Sequence, residues 1–139
     1  MTRPTNTQFA VAAHVLVLLV VADGRPVSSE EMARSVQASA VYLRRVLGRL
    51  RAGGLVSSRP GPTGGWQLTK ASRDITLGDV WRAVHGDEPV LGLHGPAEAC
   101  PVGAVIGGFM NGVQARLAQA IEDELDRTTL EDAVLAHQR

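Results

Sequence analysis

A single cysteine, Cys100, stands in 139 residues. One thiol excludes an intramolecular disulfide framework and suits a reducing cytoplasm. No apolar run reaches the ~20 residues that a bilayer core requires. The run from Phe9 to Ala22 is almost wholly apolar, but as a helix it spans only about 21 Å at roughly 1.5 Å per residue. No convincing small-residue cleavage site precedes Asp23-Gly24, so this run is expected to be a core helix rather than a membrane span or targeting segment. Catalytic signatures are missing too: no paired carboxylates at catalytic spacing, no nucleophile elbow, no phosphate-cradling glycine loop and no zinc-ligand pattern. An enzyme is therefore not expected, nor is a metal site or a bound cofactor. Internal repeats and low-complexity segments are also lacking.

Net charge is another absence, since the formal total is zero. That average hides a division. Residues 1–73 hold ten Lys/Arg against Asp23, Glu30 and Glu31, a net of +7. Residues 74–139 hold four Arg against eleven Asp/Glu, a net of −7. A basic half joined to an acidic half points to a polyanion-binding module followed by a solvated, assembling part.

The stretch from Ser39 to Thr69 carries the most information. Ser39 caps a helix over about 40–52, and Leu43, Val46, Leu47 and Leu50 form its apolar stripe. Val41, Tyr42, Arg45 and Arg49 are expected on the opposite face, with Arg44 and Arg51 on the flank. Gly53-Gly54 stops the helix. Leu55 to Arg59 and Trp66 to Thr69 then read as paired strands around Pro60-Gly61-Pro62-Thr63-Gly64-Gly65. An arginine-bearing helix followed by a Gly/Pro-rich hairpin is the core of a winged helix-turn-helix, which puts the helix in the major groove and the hairpin beside the backbone. Double-stranded DNA is thus the expected partner. Ser28, Ser39, Val41, Tyr42, Arg44, Arg45, Arg49, Arg59, Gly61, Thr63, Gly64 and Gly65 are the expected contacts.

The flanking segments agree. A first helix covers 6–22, with Asn6 or Thr7 as its cap and Asp23-Gly24 as its stop. Its His14 is expected to be a hydrogen-bonded core histidine. Ser28 and Glu31 read as a capping box for a short helix over about 29–35, and Val36-Gln37-Ala38 is the turn before Ser39. Thr76 caps a fourth helix, packed through Leu77, Val80, Trp81 and Val84. Residues 86–101 lack periodicity and form a loop. From Val102 one face repeats through Ile106, Phe109, Val113, Leu117, Ile121 and Leu125. A helix of that length projecting from a small domain needs a partner for its stripe. Homodimerisation through Ile106, Phe109, Val113, Leu117 and Ile121 is therefore expected, and Thr128-Thr129 begins a last short helix. The fold class is mainly α with a small β-hairpin. A winged helix-turn-helix domain spans 1–85, a loop and possible sensor region 86–101, and the dimerisation helix with the C-terminal segment 102–139.

Taken together these residues resemble the Rrf-two family of bacterial transcription regulators, over about 7–132. The resemblance rests on Arg44 to Ser58, on Pro60 to Leu68 and on Ile75 to Val80. It implies a dimeric, sequence-specific DNA-binding regulator, a repressor in the commonest form. In the family the wing usually reads Arg-Gly-x-x-Gly-Gly-aromatic; here Pro60 takes the arginine's place and Arg59 precedes it. The family's better-known sensors hold an iron–sulfur cluster on three cysteines in the loop before the long helix. This chain has Cys100 alone there, which places it nearer the single-cysteine branch. Cys100 and His94 are the candidate sensor residues, for a redox signal or a small effector, although Cys100 reads equally as a packed apolar residue. A winged-helix adaptor that binds another protein is the alternative function.

Overall fold

In the computed structural model, residues 7–138 are described. Six α-helices, a two-stranded antiparallel sheet and one 3-10 turn follow one another along these residues. Helix α1 (Thr7–Ala22) buries Ala12, Val15, Leu16 and Leu19. Phe9, Val11, Leu18 and Val20 pack against the same core from its flanks, so its nearly uniform hydrophobicity reflects cover on several sides. Val21 remains 68% exposed. The expected cap at Asn6 lies outside the described residues.

Ser28 starts α2 (Ser29–Val36) by accepting the Glu31 backbone N–H at 3.2 Å. The reciprocal half of the expected capping box does not form. The Glu31 carboxylate instead pairs with Arg25 at 3.2 Å. Gln37, in the left-handed region at φ 55°, ends α2, and Ser39 opens α3 (Ala40–Ala52) by accepting from the Tyr42 N–H. The α3 stripe of Leu43, Val46, Leu47 and Leu50 is fully buried. Gly53 is ordinary right-handed backbone, and the positive φ at the helix end (76°) belongs to Gly54.

Strands β1 (Val56–Arg59) and β2 (Gly65–Leu68) pair with Ser58 opposite Trp66 and Arg59 opposite Gly65. Val27 adds a bridge on the other edge of β2, exchanging two backbone hydrogen bonds with Trp66. This anchors the hairpin to the segment before α2. Gly65 is required at that junction. Its φ is +148°, and a Cβ there would lie 2.8 Å from the Val27 backbone.

A 3-10 turn (Ser72–Asp74), not anticipated from the sequence, leads through buried Ile75 into α4 (Leu77–His85). Thr76 and Asp79 form a complete capping box on α4. Helix α5 (Pro101–Leu125) is 25 residues long, about 37 Å at ~1.5 Å per residue. Helix α6 (Leu130–His137) begins at a second box, Thr129 with Asp132. Leu130 is fully buried in the main core, and its N–H donates to the Ile75 carbonyl at 2.9 Å. The chain thus leaves the winged-helix core on α5 and returns on α6. Arg82 ties α4 to the end of α5, reaching Asp126 at 2.7 Å and Glu122 at 3.2 Å besides Asp79 on its own helix.

Candidate nucleic-acid interface

The exposed side of α3 follows from the position of its buried stripe. At ~100° per residue, positions 41, 45 and 48 lie opposite Leu43, Val46, Leu47 and Leu50, and 44 lies on the flank away from Tyr42 and Arg49. Val41 is 65% exposed, and Arg44, Arg45 and Gly48 are exposed beside it. Together they make a surface of one small apolar group, two guanidinium groups and one bare backbone patch. Those groups suit a thymine methyl, guanine edges and phosphates.

Two residues expected on this face belong elsewhere. Arg49 turns inward, and its Nη1 donates to Gln8 Oε1 and to the Val84 carbonyl, both at 2.8 Å. Tyr42 is half-buried and packs against the core. The reason is angular: seven residues apart, the two share a flank about 90–110° from the stripe centre, where side chains meet neighbouring helices. Arg49 therefore joins α3 to α1 and α4 rather than facing solvent.

The hairpin follows α3 directly in the chain and is coupled to it. Arg51 donates to Ser58 Oγ at 2.6 Å, and its guanidinium lies 4.6 Å over the Trp66 ring. This cation–π contact fixes the wing relative to α3 and was not foreseen from the sequence. A basic residue near the end of a helix and an aromatic in the second strand were its only traces. Arg59 is exposed at the end of β1, and residues 60–63 form an open tip. Gly61 has φ +96° with free space around it, whereas a side chain on Gly64 would collide with the Arg59 and Pro60 carbonyls. Gly64 and Gly65 thus shape the wing, while Gly61 and Thr63 lie at its exposed tip. Ser28 and Ser39 use their oxygen acceptors as helix caps, which leaves each hydroxyl proton available to a phosphate oxygen.

The long helix offers a second surface. Val102, Val105, Ile106 and Phe109 are exposed along its first half, Leu117 further on. Val113 is half-buried, and half-buried Ile121 lines a cleft against Trp81 and Val84 instead of continuing the open stripe. Cys100 is the cap of α5: its Sγ accepts the Gly103 N–H at 3.4 Å. His94 is exposed beside Leu93, Pro96 and Ile106. His14, expected in the core, is instead exposed, with Nε2 hydrogen-bonded to Ser35 Oγ at 3.0 Å. No helix of the described residues is long and apolar enough to cross a membrane.

A compact helical domain with a basic helix face and an adjoining wing defines a helix-turn-helix DNA-binding regulator. Residues 5–136 match the Rrf2 model, described as an iron-dependent transcriptional regulator, and the chain belongs to that family. It is 34% identical over 130 residues to YwnA of Bacillus subtilis, whose name assigns it provisionally as an HTH-type transcriptional regulator; the match covers 93% of this chain and 96% of YwnA. Among solved structures it resembles IscR of T. potens, with a TM-score of 0.70 and 27% identity over 99% of this chain and 90% of that one. It also resembles CymR, the global cysteine regulator of B. subtilis, with a TM-score of 0.66 and 27% identity over 96% of each.

The family description raises iron, and the donor set here does not fit a cluster. Cys100 is the only cysteine in the sequence, and its sulfur caps α5. No group of three His, Cys, Asp or Glu side chains converges among the described residues. One soft ligand falls short of the thiolate set that holds an iron–sulfur cluster.

Proposed function

We propose that this regulator acts as a cytoplasmic homodimer that represses transcription by occupying two half-sites of an operator. The observation that carries the reading is the exposed row Val41, Arg44, Arg45 and Gly48 on a helix whose other side is wholly buried. A helix so arranged presents its basic row to a major groove while the core holds it rigid. Arg59 and the tip at Gly61 and Thr63 then meet the flanking phosphates. Half-site reading requires a second copy. The stripe of Val102, Val105, Ile106 and Phe109 is the surface that supports it, because a contiguous apolar row of this size calls for cover.

The test is the oligomeric state of Phe109→Asp. Phe109 is 62% exposed within one chain, so the change leaves the fold of a protomer intact while burying a carboxylate in any interface it forms. Sedimentation should give a dimer for the wild type and a monomer for the variant, with operator affinity at least tenfold weaker. A variant that still sediments as a dimer removes α5 from the interface. A sensor role for Cys100 would have to break its contact with Gly103 at the start of α5. Oxidation of the thiol should therefore alter dimer geometry, and operator binding that is indifferent to peroxide assigns Cys100 to helix capping alone.

A further inference from the structure

Away from the basic face, two adjoining hollows of about 380 and 190 Å³ lie where α1, α4, the segment after α4 and α5 meet. They share Trp81, His85, Glu88 and Val90, and their combined size falls in the range of small-molecule sites, roughly 300–1,000 Å³. We infer that this cleft binds a small organic cation, an amine or quaternary ammonium, and that its occupancy is felt by the DNA-reading helix through Arg49. The second half of this inference rests on the DNA-binding reading; the first does not.

Three features of the cleft select a cation. Its wall is aromatic and rigid: the Trp81 and His85 rings stack at 4.3 Å, and Phe9 meets Trp81 edge-on at 5.4 Å. His85 covers one face of the indole, so the cation takes the other, and indole is the strongest of the aromatic side chains for such a contact. Its rim is acidic: Asp87 and Glu88 line it, while the arginine that lines it, Arg82, is engaged by Glu122 of the same wall and by Asp79 and Asp126. Finally, α4 ends in the cleft, and the carbonyl end of a helix carries partial negative charge. The Val84 carbonyl already accepts one cation, the guanidinium of Arg49.

That last contact supplies the coupling. Arg49 springs from α3, between the exposed Arg45 and the wing-bound Arg51, and its two partners, Gln8 and Val84, both line the cleft. A ligand cation that draws on the Gln8 oxygen or the α4 carbonyls competes directly with the Arg49 anchor. Occupancy should then loosen the seat of α3 and weaken operator binding.

Choline and its uncharged isostere 3,3-dimethylbutan-1-ol serve as probes on the full chain, with calorimetry for binding and fluorescence anisotropy for DNA. Choline should bind at least fivefold more tightly than the isostere. Glu88→Gln, outside the DNA-facing surface, should lose most of that preference, and Trp81→Leu should lose binding of both. Saturating choline should weaken DNA binding several-fold in the wild type. No heat from either probe at tens of millimolar, or equal affinity for the two, overturns the cation site. Choline binding with unchanged DNA affinity overturns the coupling and leaves the site. A wild-type protein that binds choline but no duplex DNA identifies the DNA reading as the part that failed.

Discussion

Arg45 and Arg49 sit one turn apart on α3, and their replacement by alanine should have opposite consequences. Arg49 makes two charge-assisted hydrogen bonds of 2.8 Å in a half-buried setting. Such bonds contribute about 1.5–3 kcal/mol each when buried; partial water access at the end of α4 favours the low end, so Arg49→Ala should destabilise by about 2–3 kcal/mol. For a chain of this length each kcal/mol moves the melting midpoint by roughly 4 °C, a drop of about 8–12 °C. Arg45 is exposed, and exposed changes of this kind stay within about 0.5 kcal/mol. Its loss should instead weaken DNA binding. If Arg45 holds a phosphate, operator and random duplex should suffer alike, and the log–log salt slope should fall by about 0.9 per protomer. If it reads a guanine, the loss should be about 1–3 kcal/mol and confined to the operator. Calorimetric melting and anisotropy titrations at matched protein concentration separate the two residues. An Arg49→Ala protein that melts like the wild type, or an Arg45→Ala protein that binds both DNAs as well as the wild type, refutes the orientation of α3.

Gly65→Ala forces a side chain against the Val27 backbone at a positive φ. It should cost about 1–3 kcal/mol and detach the wing, visible as increased proteolysis at 60–64. Acid should release the α4–α5 clasp. The Arg82 hydrogen bond holds the Asp126 carboxyl below its ordinary range, and Asp79 is lowered too, because the Thr76 N–H and Arg82 outweigh its burial. A carboxylate whose folded pKa is depressed stabilises the protein above its unfolded value near 3.9, and that contribution disappears as pH falls through the folded value. Urea midpoints should therefore fall between about pH 5 and pH 2, and Arg82→Gln should flatten that decline; an equal decline in both proteins excludes the clasp.

Much of this architecture was legible because the chain repeats the same instructions at several levels. Helix caps at Ser28, Ser39, Thr76 and Thr129 are chemical signals that act within four residues, and each was readable without tertiary information. The buried stripe of α3 was equally plain. What the stripe did not reveal was the allegiance of the flanking positions. Tyr42 and Arg49 sit on the boundary, where a long side chain points outward or inward according to what lies opposite. Gln8 and the end of α4 are opposite Arg49, and they come from 41 and 35 residues away along the chain. Partners beyond the helix turn likewise decided Glu31, which takes Arg25 six residues earlier in place of a capping box, and His14, which finds Ser35 at the surface, 21 residues on, rather than a site in the core. The return of α6 to the core was hidden for the same reason. Leu130 could be recognised as apolar, but the Ile75 carbonyl that receives its N–H lies 55 residues earlier in sequence. The single cysteine was plain in the sequence as well, and one soft ligand falls short of the set that an iron–sulfur cluster takes.

The most direct test of the central claim is the salt dependence of binding to duplex DNA from upstream of the protein's own gene, beside a random duplex of equal length. Arg44, Arg45 and Arg59 from two protomers engage about six phosphates on this account, which gives a log–log slope near −5 at about 0.9 per phosphate, with tighter binding to the upstream DNA. Equal, weak binding to both duplexes with a slope near zero would contradict it and leave the fold to a protein-binding adaptor.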